Sequence, residues 1–325
     1  MEEAKVSIIL LNNNEDNLLN CLNSINKQKY SKENIEVILE TLKLNEEVKE
    51  ELNKYKFKLL IKEVKELETA SCYNDALKEA TGDYIMFTNS NMSFDTDDAF
   101  SYINSQDTLD NEVSSNMEET LEKSEADSDD TSSNELEKVV DNVSNSGNSN
   151  LLAYKVRFYD SDLNEYTDYV LAVKSNEKYS LEKNSGEIEL CLEGYFINRK
   201  ILKGMKFDST FNEECRQKLL LDLLIKNPSF ICNDNISITT ISPLEDNFAK
   251  NSIQYDPRWY NESLVNWTKY LSELDYVPVY IQEAVLYMLY AKINCNIEDR
   301  DKYVLDDEEY KLVQDSVMKK VYSLF

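Results

Sequence analysis

The sequence contains no histidine, so its acid–base and ligand chemistry falls to other side chains, carboxylates and thiols first among them. His-based metal sites, His general bases and Ser-His-Asp or Cys-His catalysis within the chain are therefore excluded. Two acidic groupings precede apolar stretches: Asp95-Thr96-Asp97-Asp98 before Ala99-Phe100, and Glu213-Glu214 before the leucine-rich run to Lys226. Carboxylates in a first helical turn offset the exposed N–H groups there, so both groupings read as helix starts. Cys21, Cys72, Cys191, Cys215, Cys232 and Cys295 are scattered without a C-x-x-C pair. They lack zinc spacing and read as reduced, small apolar residues. With only 5 glycines there is no Gly-rich phosphate loop of the P-loop or Rossmann kind.

The elements that must position any site come in alternation. Val6–Leu11 is a short, branched apolar run that reads as a buried strand, followed by the turn Asn12-Asn13-Asn14. Leu18, Leu22 and Ile25 then fall at helical spacing through Gln28. Ile35–Leu39, Phe57–Ile61 and Asp83–Thr88 read as further strands. Between them lie a polar helix from Asn45 to Tyr55 and a helix with Ala70, Tyr73, Leu77 and Ala80 on one face, which Gly82 would cap. Strands and helices joined by connections this short predict an α/β fold with a parallel sheet and right-handed crossovers. Ligands in such sheets sit beyond the carboxyl ends of the strands. Leu11–Asn14, Leu39–Leu42 and Thr88–Asn91 are the segments that would line that edge.

Length and charge bound the rest. A chain of 325 residues with 42% hydrophobic content has room for about two domains and a real core. Its net charge of −27 argues against nucleic acid and against docking on anionic lipid. Residues 101–150 hold thirteen acids against Lys123 and Lys138, a net of −11. This stretch reads as an acidic, mostly disordered insertion, with a short helix around Leu136–Val143, that could attract a basic protein partner. Beyond it, Leu151–Tyr159 reads as a strand with a hairpin partner at Tyr166–Lys174, and Glu187–Asn198 as another. Glu213–Lys226 reads as an apolar helix stopped before Pro228. After Pro243 the pattern is helical and aromatic, and the spacing of Tyr260, Trp267 and Tyr270 reads as packing rather than sugar stacking. The apolar run after the acidic N-terminus is too short for a signal peptide or a membrane span, so a cytoplasmic location is expected. The final helix, Glu308–Leu324, has no clear cap, as at an end where a longer chain continues.

The order of elements, with these residues in them, resembles family 2 glycosyltransferases of GT-A fold. The resemblance is carried by Val6–Asn14, by Leu18-Leu19-Asn20-Cys21-Leu22-Asn23-Ser24-Ile25-Asn26-Lys27-Gln28-Lys29-Tyr30, by Asn34–Leu39, and by Asn74 with Leu77–Phe87. Arg199–Leu202, Phe207-Asp208 and Glu213-Glu214 resemble the acceptor-side segment. Pro257–Tyr260 and Val277–Gln282 resemble helical extensions of wall-polysaccharide and teichoic-acid glycosyltransferases of Gram-positive bacteria. The resemblance implies a GT-A domain over 1–245 containing the 101–150 insertion, and a helical C-terminal subdomain over 246–325. It further implies transfer of a sugar from a nucleotide diphosphate donor to a glycan acceptor hydroxyl. A divalent ion would neutralise the leaving diphosphate, an Asp-x-Asp segment would help hold it, and a carboxylate base would take the acceptor proton.

The sequence departs from that pattern. Asn89-Ser90-Asn91 stands where Asp-x-Asp belongs, Leu39-Glu40-Thr41-Leu42 where an acidic pair belongs, and Cys72–Ala76 where Ala-Arg-Asn-x-Gly belongs. What the resemblance carries over is Glu214 or Glu213 as catalytic base, and Asn12, Glu40, Thr41, Asn74, Asn89 and Asn91 for the donor. No metal ligand is assigned; manganese or magnesium would be the cofactor if the chain is active. Losing one close charge-assisted ligand costs about 1.5–3 kcal/mol, so losing two would weaken metal-dependent donor binding ~100-fold or more. The reading favoured is a catalytically impaired homologue acting as a binding or scaffolding domain in cell-surface glycan synthesis. The alternative is an active transferase with a rearranged donor site.

Overall fold

The computed structural model describes residues 3–103, 150–159, 165–166, 177–185, 190–241 and 264–298. Its first half alternates as expected: β1 (Val6–Asn12), α1 (Glu15–Asn26), β2 (Ile35–Thr41), α2 (Glu46–Leu52), β3 (Lys58–Glu63), α3 (Thr69–Glu79) and β4 (Tyr84–Asn89). Every residue of β1 and β2 is buried, as parallel strands covered on both faces require. The even-numbered side chains Val6, Ile8 and Leu10 of β1 pack with Leu18, Cys21, Leu22 and Ile25 of α1. Ile9 and Leu11 face the other way, onto Ala70, Tyr73 and Ala76 of α3. Both helices start on side-chain caps: Asn14 accepts from the Asp16 N–H, and Glu68 from those of Ala70 and Ser71.

The remaining strands are β5 (Met92–Phe94), β6 (Leu151–Tyr159), β7 (Glu165–Tyr166), β8 (Glu177–Ser180), β9 (Tyr195–Asn198) and β10 (Ser229–Ile241). Together they form one sheet in the order β3-β2-β1-β4-β9-β6-β10-β5, with β7 on β6 and β8 on β10. The β3-β2-β1-β4 layer is parallel; β9 then runs antiparallel to both β4 and β6. The carboxyl ends of β1, β2 and β4 therefore share one edge, with Asn12 opposite Thr41 and Leu11 opposite Asn89.

The second half departs from the sequence reading in several places. The strand expected over Glu187–Asn198 is confined to Tyr195–Asn198, after a 3-10 turn at Leu192–Gly194; residues 186–189 lie outside the described region. The helix expected from Glu213 is α4 (Cys215–Lys226), because a 3-10 turn over Ser209–Glu214 precedes it and Asn212 breaks the helical path with φ 48°. Gly82 does not cap α3, which ends on Ala80. Gly82 is needed for a close approach: a Cβ there would lie 2.5 Å from the Ser7 nitrogen. Two further helices, α5 (Leu264–Ser272) and α6 (Val279–Glu298), follow Pro243 as the helical pattern predicts. Trp267, Tyr270, Tyr280 and Ile281 pack into the same core cluster as Leu219, Leu220 and Leu223 of α4. Most of the acidic stretch (104–149), the Leu136–Val143 helix, Tyr260 and the Glu308–Leu324 helix lie outside the described residues, as does all of the Tyr166–Lys174 hairpin strand except Tyr166. Tyr166 itself pairs with Phe158 of β6.

Candidate functional site

The carboxyl edge of the parallel layer carries a cluster of amide side chains. Asn12, the last residue of β1, donates from Nδ2 to Oγ1 of Thr41 at 2.9 Å. Its own Oδ1 is buried without a hydrogen-bond donor among the described residues. Beyond β4, Ser90 ties the two loops together. Its hydroxyl donates to Asn13 Oδ1 at 2.9 Å and accepts from the Asn14 N–H at 2.8 Å, while its N–H donates to Leu11 O at 3.0 Å. Asn89 Oδ1 accepts from the Asn91 N–H at 3.0 Å, and Asn91 Oδ1 accepts from Asn17 Nδ2 at 2.9 Å.

Five of the expected donor residues, Asn12, Glu40, Thr41, Asn89 and Asn91, are thus brought to one edge. Glu40 is 1% exposed at the end of β2, with the Lys62 ammonium 3.1 Å from its Oε1. Burial pushes its carboxyl above the ordinary range; Lys62 opposes that push, and the nearby charge of Asp75 adds to it. Asn74 stands apart. Its amide donates to Phe207 O and accepts from the Phe207 N–H, both at 2.8 Å, and so pins the loop before the 3-10 turn onto α3.

Glu214 lies at the end of that turn. It is 4% exposed, and its Oε2 accepts a 2.7 Å bond from the indole Nε1 of Trp267. Glu213 is the adjacent backbone position in the same turn. The acids Asp95 and Asp97 have other partners: Asp95 accepts from the Ser237 hydroxyl, and Asp97 pairs with Lys29 at 3.0 Å. Asp98 precedes the helical turn that begins at Ser101.

The sequence reading missed one buried ion pair, Glu193 with Arg216. Glu193 precedes β9, in the turn that packs beside the end of β4, and Arg216 sits in the first turn of α4. Both charges act on the buried Tyr73 hydroxyl, which donates to Thr88 O at 3.0 Å. The signal was present: Glu193 is an acid inside the apolar run Leu190–Phe196, and a buried acid needs a cation.

A divalent ion beside a diphosphate takes hard, preferably anionic oxygen ligands. The residues present do not fit one. The amide oxygens at positions 89 and 91 are neutral and already accept hydrogen bonds from Asn91 and Asn17. Among the described residues no three Asp, Glu or Cys side chains converge as a cation cage.

Residues 6–112 match the model of glycosyl transferase family 2. The chain superposes on solved structures of S. aureus TarS. For TarS 1–349 in complex with UDP the TM-score is 0.61 at 13% identity, covering 98% of this chain and 81% of that one. For the same protein in complex with UDP-GlcNAc the values are 0.61, 13%, 98% and 80%. No curated protein sequence matches. At this identity the structural likeness establishes the GT-A fold. Over residues 6–112 the chain is similar to glycosyl transferase family 2, its fold is GT-A, and among its described residues no helix is long and apolar enough to cross a membrane.

Proposed function

We propose that the carboxyl-edge site binds a nucleotide diphosphate sugar without metal-dependent transfer, and that the chain acts as a binding or scaffolding domain in cell-surface glycan synthesis. The observation that carries this reading is the neutral pair Asn89 and Asn91, whose amide oxygens are committed to Asn91 N–H and Asn17. Such a site offers little to stabilise the charge that develops on a leaving diphosphate. Retained binding is supported by Asn12, whose buried Oδ1 awaits a donor that a bound ligand would supply. The TarS structures hold UDP and UDP-GlcNAc, which makes these the natural probes. The deep burial of Glu214 beneath Trp267 also disfavours a base that must reach an acceptor hydroxyl. In this proposal 1–245 is the binding domain and 246–325 a helical extension.

Calorimetric titration of the chain with UDP-GlcNAc, with and without manganese, tests the reading. Binding of equal strength in both conditions, with no sugar transfer or hydrolysis, supports it. Manganese-dependent binding with turnover that Glu214→Gln abolishes would establish the active alternative.

A further inference from the structure

A cleft among the described residues lies away from the candidate donor site. It opens at the opposite, amino-terminal edge of the parallel layer, where residues preceding β1 and β4 meet the loop after β9, and has a volume of about 1330 Å³. Its charge is anomalous for a chain of net −27. Lys5, Lys78, Arg199, Lys200, Lys203 and Lys206 line it, against Glu3 and Asp83. All six cations are exposed, and Lys78 alone among them forms an ion pair within the described residues, with Asp75. Five like charges in one cleft repel one another and call for an anionic occupant.

The ends of the acidic stretch lead to this same edge. At one end, Asn150 O accepts from the N–H of Asn198, a residue that lines the cleft. At the other, the Ser101 hydroxyl donates to Lys29 O at 3.3 Å. The neighbouring Tyr30 packs on Phe100 and donates from its hydroxyl to the carbonyl of Ala4, another lining residue, at 2.5 Å. Between these anchors run residues 104–149, net charge −11.

We propose that the acidic stretch 104–149 docks in cis on this basic cleft, making the cleft an internal counter-charge site rather than a surface for an outside polyanion. Tethering at both ends supplies the acids at an effective concentration on the order of millimolar, ahead of any partner in solution. An anionic membrane or nucleic acid would have to displace them while approaching a chain of strongly negative overall charge.

Zero-length carbodiimide cross-linking of the full chain, followed by peptide mass spectrometry, tests this directly. The expected result is amide links from Lys200, Lys203 or Lys206 to acids between Asp107 and Asp141 in the monomer. They should fade as salt is raised to about 0.5 M, where the screening length falls to about 4 Å. The exposed triple variant Lys200→Glu/Lys203→Glu/Lys206→Glu should lose these links at unchanged melting temperature. Links spread evenly over distant lysines such as Lys54, or found only between copies, would overturn the proposal. So would flotation of the full chain with phosphatidylserine vesicles that the triple variant loses, since the cleft would then serve a lipid surface.

Discussion

The indole of Trp267 and the carboxylate of Glu214, 53 residues apart, are joined by a 2.7 Å hydrogen bond inside the core. That bond couples helix α5 to the turn that carries Glu214, the acid expected as catalytic base. Trp267→Phe keeps much of the ring packing against Phe211 but removes the donor. The expected loss is about 1–3 kcal/mol, the cost of leaving a buried acceptor short of a partner. A urea midpoint equal to that of the parent chain would show that the bond contributes nothing.

Glu36 predicts an acid limb in the stability profile. Its carboxylate accepts from the hydroxyls of Ser7 and Thr81 and from the Thr81 N–H, and pairs with Lys58 at 2.9 Å. Burial pushes this acid up, but the hydrogen bonds together outweigh that push and hold its pKa down at about 2. Because the folded value lies below the ordinary one, the stabilisation is fully present above about pH 4.5 and is lost as pH falls toward 2. Glu36→Gln should remove up to about 3 kcal/mol at neutral pH and flatten the profile between pH 5 and 2. A variant that retains the same acid limb would assign it to other carboxylates.

The same corner depends on Gly82, whose N–H donates to Ser7 Oγ at 2.7 Å. Gly82→Ala places a methyl group 2.5 Å from the Ser7 nitrogen and 2.6 Å from its hydroxyl. The strands β1 and β4 must then separate, at a cost of about 1–3 kcal/mol. Thermal melting measures it, and a melting temperature within a degree of the parent would contradict the close approach.

The buried pair Glu193–Arg216 should behave asymmetrically. Arg216→Met leaves Glu193 buried and uncompensated, at about 3–5 kcal/mol, whereas Glu193→Leu/Arg216→Met together should cost much less. If the double variant loses as much as the single one, the two groups do not act as a pair.

Sequence alone located the layer that builds the site but not all that surrounds it. The strands β1, β2 and β4 announce themselves because both faces are buried and the connections are short. β10 escaped the reading. Its apolar alternation is interrupted by Asn233-Asp234-Asn235, where its register on β6 shifts between Asn233 and Ser237, and such a polar triplet looks like a turn. The 3-10 turn before α4 was hidden for a related reason. Glu213-Glu214 resembles a helix start, and nothing in the composition marks the φ of Asn212. The neutral character of positions 89 and 91 was readable. That their oxygens are held by Asn91 and Asn17 required coordinates.

Those bonds also predict that acids can be restored without damage. At both positions the side-chain oxygen acts as acceptor, a role a carboxylate keeps. Asn89→Asp/Asn91→Asp should therefore fold with a stability change within about 1 kcal/mol. A collapse in melting temperature would mean that the added charge cannot be accommodated at this edge.

We propose that this edge does not hold a divalent cation beside a diphosphate. Electron paramagnetic resonance of manganese, recorded with the chain at rising UDP concentration, measures that directly. The expected result is no UDP-dependent uptake of manganese by the parent chain, and uptake by Asn89→Asp/Asn91→Asp. Stoichiometric, UDP-dependent capture of manganese by the parent chain would contradict it.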